Sequence, residues 1–311
     1  MLKRAARRLL PAPVYRAGKS WAQQWRRHEY RRLAEVSEAR MRQILAEELG
    51  IGPGMVVFVH SALDRIRLGF PFFRVLALLR EAVGQEGTLL FPATHLRQRP
   101  EVWLGRGEVF DARQSPTSMG LLPELARRQA GAARSLHPTH SVVALGKGAV
   151  ELTGEHHAAL YPCGAQSPYY RLVERNGLIV GLGVDVDVLT FAHCVEDIWG
   201  ERFPVQTRRA QVYAARVRDG EGREQVVQTL VAHPRIRWRE MAGYVRQHVS
   251  EEVCRRMEIN GARYYRAEAQ KLYARMEELA GRGVTMYSRL VHRGHPLEPL
   301  MSRLAERLEE R

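Results

Sequence analysis

A chain of 311 residues, 45% hydrophobic and 8% aromatic, can bury one large core or two small ones, which excludes a disordered polymer and a short stapled module. Cys163, Cys194 and Cys254 lie far apart and form no CxxC pair, so a disulfide framework and a zinc ribbon are excluded and a reducing compartment is expected. The formal charge of +14, from 48 Lys and Arg against 34 Asp and Glu, is high for a cytosolic enzyme.

Much of that charge lies in residues 1–45, where twelve Lys and Arg face only Glu29, Glu35 and Glu38. The spacing predicts a mostly helical arm, with Leu9, Leu10, Trp21, Trp25, Tyr30 and Leu33 among the arginines and with Pro11 and Pro13 breaking the first turns. A basic, Trp-bearing segment has two readings: peripheral contact with an anionic membrane or polyanion, or packing of its aromatics on the main domain. No run approaches the roughly 20 apolar residues that span a bilayer, and Met1 to Leu10 lacks the apolar core of a secretory signal. A cytoplasmic protein is expected, touching at most the inner face of the membrane, with residues 46–311 as its main domain.

Met41 to Leu49 continues as a helix and stops at the breaker cluster Gly50-Ile-Gly-Pro-Gly54. Met55 to Val59 is an apolar run of strand length that exits through His60-Ser61-Ala62-Leu63-Asp64. Phe73 to Val83 has helical spacing, Gly84 ends it, and Thr88 to Phe91 is a strand closed by Pro92; this alternation predicts a layered α/β domain. Residues 93–112 read as a polar loop. Ser115-Pro-Thr117-Ser with Glu124 downstream looks like the start of a helix over Met119 to Arg128, whose first NH groups suit a phosphate. Ser141 to Leu145 is a strand, Lys147 to His157 a helix, Tyr161 to Gln166 a turn and Tyr170 to Glu174 a short helix. Gln211–Val217 and Gln225–Val231 around a Gly-rich turn read as a β-hairpin. Residues 236–280 have helical periodicity interrupted at Gly261, with Tyr264, Tyr265, Leu272 and Met276 as core, and Glu298 to Arg311 is a charged helix.

Two stretches carry titratable side chains at strand ends, where α/β proteins keep their chemistry. In Leu178-Ile-Val-Gly-Leu-Gly183 a buried strand ends in a tight turn, and the following segment begins a helix that sets His193 and Glu196 three residues apart on one face. A histidine steered by a carboxylate suits a base acting near neutral pH. The competing reading is a core histidine beside a solvated glutamate. Upstream, His137-Pro-Thr-His140-Ser141 leads directly into a strand. Competing motifs are poor. The glycine pair lacks a third glycine at Val186, no HExxH, GxxxxGK[ST] or GxSxG is present, and no metal is expected. Cys194, beside His193, reads as a small packed side chain.

Six segments in colinear order, from about Met55 to about Glu196, resemble the aminoglycoside N3-acetyltransferase family, the non-GNAT antibiotic N-acetyltransferases. They are Val59 to Leu63, Gly87 to Pro92, Phe110-Asp111 through Ser115 to Gly120, His137 to Ser141, Ser167-Pro168-Tyr169 with Arg171-Leu172, and Thr190 to Glu196. The resemblance implies an α/β-α layered domain with a central mixed sheet and acetyl-CoA as the acyl donor. It implies donor contacts at His60, Ser61, Ala62, Leu63, Ser115, Thr117 and Ser141, and acceptor contacts at Asp111, Ser167, Tyr169 and Thr190. It also implies His193 as base with Glu196 orienting it, leaving open which of His137 and His140 joins them. The sequence departs from the family at Ala62, commonly a second serine, at Leu189, commonly Asn, and at Gly69 to Phe73, which replaces a Gly-rich stretch.

Moving an acetyl group from a thioester to an amine needs a neutral amine, a polarised carbonyl and a place for the thiolate, all within reach of one histidine and a few donors. The expected activity is therefore acetyl-CoA-dependent N-acetylation of an amino sugar or aminoglycoside-like amine. Because aminoglycosides are polycations, the basic chain points more to an acceptor bearing phosphate or carrier lipid. The expected partners are a small-molecule amine and a second copy of the chain; salt-sensitive nucleic-acid binding comes with any such charge, so no specific nucleic acid is read. The rival reading is a catalytically degenerate relative that binds membrane surfaces or polyanions through its arm.

Overall fold

The computed structural model describes Tyr30 and residues 32–310. The charged arm up to residue 29, with Trp21 and Trp25, lies outside the described residues. From Val36 onward the chain packs into the main body: Val36, Met41, Ile44 and Leu45 are buried with the rest of one core layer.

Among the described residues ten strands form two sheets. They are β1 Val56–Ser61, β2 Thr88–Pro92, β3 Phe110–Asp111, β4 Ala133–Arg134, β5 Val142–Gly146, β6 Leu178–Leu182, β7 Arg208–Arg218, β8 Glu224–Ala232, β9 Cys254–Ile259 and β10 Ala262–Glu268. The large sheet runs β4-β5-β2-β1-β6-β10-β9 and the small one β3-β7-β8. In the large sheet β1 lies parallel to both β2 and β6, while the outer pairs are antiparallel, so the sheet is mixed as expected.

The central strands are near-continuous apolar runs because both of their faces are covered. Their side chains alternate between two core layers. Phe58, Leu90, Val142, Ile179 and Tyr265 go to one, and Val57, Val59, Leu89, Phe91 and Val180 to the other. The first layer is completed by the helices Pro168–Glu174, His193–Trp199, Met241–His248 and Ala269–Gly281, and the second by Arg74–Val83 and Leu121–Arg127. Chain order departs from β1 in two directions, to β2 on one side and to β6 on the other. Such a switch point leaves a crevice at the carboxyl ends of the parallel strands.

The reading of residues 236–280 as helical needs correction. Met241–His248 and Ala269–Gly281 are helices, but β9 and β10 between them form a hairpin. Its turn is Asn260-Gly261, with φ of +54° and +79°, the left-handed pair that a two-residue hairpin requires. Adjacent tyrosines 264 and 265 are both core because a strand between two layers buries successive side chains on opposite faces. Residues 93–112 likewise hold more order than a loop. The helix Pro100–Leu104 and β3 join the small sheet around Trp103, Phe110 and Val217.

Candidate active site

His193 opens the helix that follows β6, and its Nδ1 lies 2.9 Å from Glu196 Oε2. Glu196 is 1% exposed, and its other oxygen accepts the Tyr287 hydroxyl at 2.7 Å. Burial alone would raise this carboxyl; His193, Arg208 and Tyr287 outweigh it and hold the group below the usual glutamate range. On its other side, His193 Nε2 is 3.1 Å from Arg239 Nη1. A guanidinium can only donate, so Nε2 presents its lone pair and Nδ1 carries the proton given to Glu196. This assigns the tautomer from the hydrogen-bond network.

Tyr287 and Arg239 arrive together. They pair as an isolated antiparallel bridge, flanked by Glu240 N to Met286 O at 2.8 Å and Ser288 N to Trp238 O at 3.2 Å. One backbone junction thus supplies the hydroxyl behind the His193–Glu196 pair and the cation in front of it.

Below the pair, buried Asp197 takes two hydrogen bonds from Arg208, both at 2.7 Å, and accepts the Cys163 N–H. Arg208 is thereby kept charged in spite of its burial, and it faces the histidine cluster. His140 is only partly buried, and its Nδ1 meets the Thr139 hydroxyl at 2.8 Å. Burial, followed by Arg208 and His193, holds its imidazole well below the usual histidine range, so it is neutral at pH 7. His137 is fully buried instead. It stacks on His156 at 4.5 Å, and its Nδ1 accepts the His140 N–H at 3.2 Å.

A cavity of about 480 Å³ lies at the carboxyl ends of β1, β2 and β6. Its walls include Ser61, Ala62, Leu63, Pro92, Gly120 and Val188. Gly120 has φ +109°, a backbone conformation that favours glycine. His60 also lines the cavity, though its ring is spent inside: Nε2 meets Thr190 Oγ1 and Nδ1 meets the Tyr265 hydroxyl, each at 2.9 Å. Gly181 makes room for that arrangement, since a Cβ would come within 2.2 Å of the Tyr265 ring. The glycine pair therefore serves strand packing and the turn at Gly183, φ +70°.

The matching family model is that of aminoglycoside 3-N-acetyltransferases, over residues 58–280. The chain belongs to the aminoglycoside 3-N-acetyltransferase family. It is 34% identical over 173 residues to aminoglycoside N(3)-acetyltransferase VII of Streptomyces paromomycinus, a match covering 50% of this chain and 59% of that relative. Among solved structures, the aminoglycoside acetyltransferase AAC(3)-Xa aligns with a TM-score of 0.68 at 25% identity, covering 84% of this chain and 99% of that one. A binary structure of AAC-IIIb with CoASH aligns with a TM-score of 0.66 at 25% identity, covering 82% and 100%.

Within this family member the residues expected from sequence fall into three groups. His193, Glu196 and His140 come together, and His60, Ser61, Ala62 and Leu63 line the cavity. Thr190 and Tyr169 lie between these groups, Thr190 on His60 and Tyr169 with its hydroxyl 3.4 Å from the His140 carbonyl. The remainder do scaffold work in the geometry seen. Asp111 Oδ1 accepts the N–H groups of Arg113 and Gln114, and Ser115 Oγ accepts that of Asp111. Thr117 bonds the Thr94 carbonyl, Ser141 bonds the Ala93 carbonyl, and Ser167 caps the Pro168–Glu174 helix. The helix expected from Met119 starts at Leu121, with Glu124 accepting from Thr117 N. Glu151 and Glu155 pair on the surface with Arg175 and Arg171. Tyr287 and Arg239 were not legible, and Tyr287 lies beyond the matched residues.

Proposed function

We propose that this chain transfers an acetyl group from acetyl-CoA to the amine of an amino sugar or aminoglycoside-like acceptor, with His193 as the general base. The observation that carries the reading is the chain Tyr287–Glu196–His193, which fixes the imidazole with Nδ1 on the buried carboxylate and the lone pair of Nε2 directed away from it, toward Arg239. Kinship with named acetyltransferases and with a relative solved with CoASH supplies the donor class.

The cavity fits the reactive end of such a donor. It is largely apolar and includes Gly120, with Arg65 at its lining for a phosphate. When bound, acetyl-CoA supplies the activated acetyl group; the remaining work belongs to the chain. His193 Nε2 takes the proton that the amine gives up as its nitrogen forms the amide bond and the carbon–sulfur bond breaks. The same imidazolium, stabilised by Glu196, returns that proton to the departing thiolate, so the products are amide and free thiol and the enzyme is unchanged. With the Thr139 hydroxyl donating to Nδ1, neutral His140 offers Nε2–H as a donor to the carbonyl oxygen. His137, stacked on His156, accepts the His140 backbone N–H and so fixes the segment that carries that ring.

Thiol release from acetyl-CoA with a panel of aminoglycosides, amino sugars and their phosphates tests this directly. Acceptor-dependent release that disappears in His193→Ala is the expected result. Silence across the panel together with no CoA binding by calorimetry would overturn it.

A further inference from the structure

Arg239 sits where a base should be open. Its Nη1 donates to His193 Nε2 at 3.1 Å and its Nη2 to the Asp187 carbonyl at 3.0 Å. That carbonyl belongs to the turn Val186–Val188, whose last residue lines the cavity. The lone pair that would take a proton from an amine is therefore engaged by a permanent cation. A proton cannot be accepted there until the guanidinium moves, because imidazolium and guanidinium are both donors and would repel.

The cation itself is poorly matched. Among the described residues Arg239 meets a neutral ring nitrogen and a main-chain oxygen, with no carboxylate at ion-pair distance. The nearest acidic groups are otherwise engaged: Glu196 is held behind the ring by His193 and Tyr287, and Asp187 Oδ1 accepts the Ala242 N–H. A guanidinium in this state is drawn strongly to an oxyanion that takes two of its N–H groups at once. The backbone at Arg239 is fixed by its bridge to Tyr287, so the side chain can swing without disturbing Glu196.

We propose that Arg239 is a specificity-determining residue that selects acceptors carrying a phosphate or carboxylate on the same sugar as the amine. Such an anion pulls the guanidinium off His193 Nε2, which frees the base in the same event that anchors the acceptor. An acceptor with only cationic groups leaves the base covered and is repelled by the same arginine. The inference rests on the transferase reading for its kinetic form, though not for the contact itself.

The test compares glucosamine with glucosamine 6-phosphate in wild type, Arg239→Ala and Arg239→Gln, the last keeping a donor for the Asp187 carbonyl. Wild type is expected to favour the phosphate in kcat/KM by about 10–100-fold, the range of a charge-assisted hydrogen-bonded pair. In both variants that preference should collapse, through a higher KM for the phosphate and a higher kcat for glucosamine. An unchanged ratio overturns the proposal. A second readout needs no turnover: the imidazole nitrogen-15 spectrum, with the His193 signal assigned by its loss in His193→Gln. Nε2 should move in Arg239→Gln and, in wild type, on adding glucosamine 6-phosphate but not glucosamine. If no form acetylates either sugar, the transferase reading fails while this spectrum still decides the gate, and an Nε2 signal that stays put overturns it. A signal moved by CoA alone assigns the anion to the donor and overturns the acceptor form.

Discussion

His60 lies near the end of β1 and His193 opens the helix beyond the neighbouring parallel strand β6, yet their surroundings make opposite use of one side chain. Both nitrogens of His60 are taken by neutral hydroxyls, Thr190 on one side and Tyr265 on the other, and burial pushes its pKa down to about 3. His193 has a buried carboxylate on one nitrogen and the Arg239 guanidinium on the other. A histidine between two hydroxyls is a neutral spacer that holds strands and turns in register. Only the one with a carboxylate behind it can gain a proton and have the charge stabilised; His137, His140 and His156, like His60, are held below the ordinary histidine range chiefly by burial.

The sharpest way to break the comparison is to remove the base. His193→Gln keeps a donor for Glu196 but has no basic nitrogen, and acceptor-dependent thiol release is expected to fall by about 10²–10⁴-fold. His60→Leu should do the reverse kind of damage. The buried Tyr265 hydroxyl loses its partner, at a cost to stability of about 1–3 kcal/mol, and the half-buried Thr190 hydroxyl adds less, read as a lower denaturant midpoint. The pH dependence carries the same signature. His60 and His156 are held near 3 in the folded protein against 6.5 for the free side chain. Between those values the unfolded chain binds more protons, so stability is complete above pH 6.5 and declines as pH falls toward 3. His60→Leu should start less stable and show a shallower acid slope. An unaltered slope in thermal melts would remove His60 from the account. Glu196, depressed below its ordinary 4.5, adds its own loss as pH falls below 4.5.

On the catalytic side the next effect is smaller. Glu196→Gln leaves a hydrogen-bond acceptor on His193 but no charge to meet an imidazolium, and kcat should drop by about 10–100-fold with KM nearly unchanged. A loss confined to KM would mean that the carboxylate shapes the acceptor site instead of the base.

The sequence made one half of this contrast visible and hid the other. His193 and Glu196 are three residues apart on one turn of helix, so their meeting is local and their spacing is enough to announce it. The strands β1, β2 and β6 are equally plain, because apolar runs buried on both faces have no other place to go. Tyr287 meets Glu196 across 91 positions, and Arg239 meets His193 across 46; no short-range pattern encodes either contact. The β9–β10 hairpin was missed for a different reason. Its arginines and tyrosines fall at spacings that also suit a helix, and the deciding signal was the Asn260-Gly261 turn, whose left-handed backbone allows a hairpin and ends a helix. The scaffold roles of Asp111, Ser115, Thr117 and Ser167 were hidden because a turn or cap and a binding loop draw on the same polar residues.

Tyr287→Phe is the smallest perturbation and the one that tells whether the long-range half of the site matters for chemistry. The hydroxyl contributes one hydrogen bond to Glu196 Oε1 and nothing to His193 directly. Removing it leaves a buried carboxylate oxygen without its donor, which raises the cost of keeping Glu196 charged and so weakens its support of the imidazolium. A positioning residue of this kind should lower kcat by about three- to tenfold, the equivalent of one neutral hydrogen bond, and leave the donor KM in place. It should also make activity fall at a higher pH on the acid side than in wild type, because a glutamate deprived of one donor protonates more readily. If the variant melts lower but keeps both kcat and its pH profile, Tyr287 only fastens the bridge to Arg239, and the base is defined by the two residues that share one helical turn.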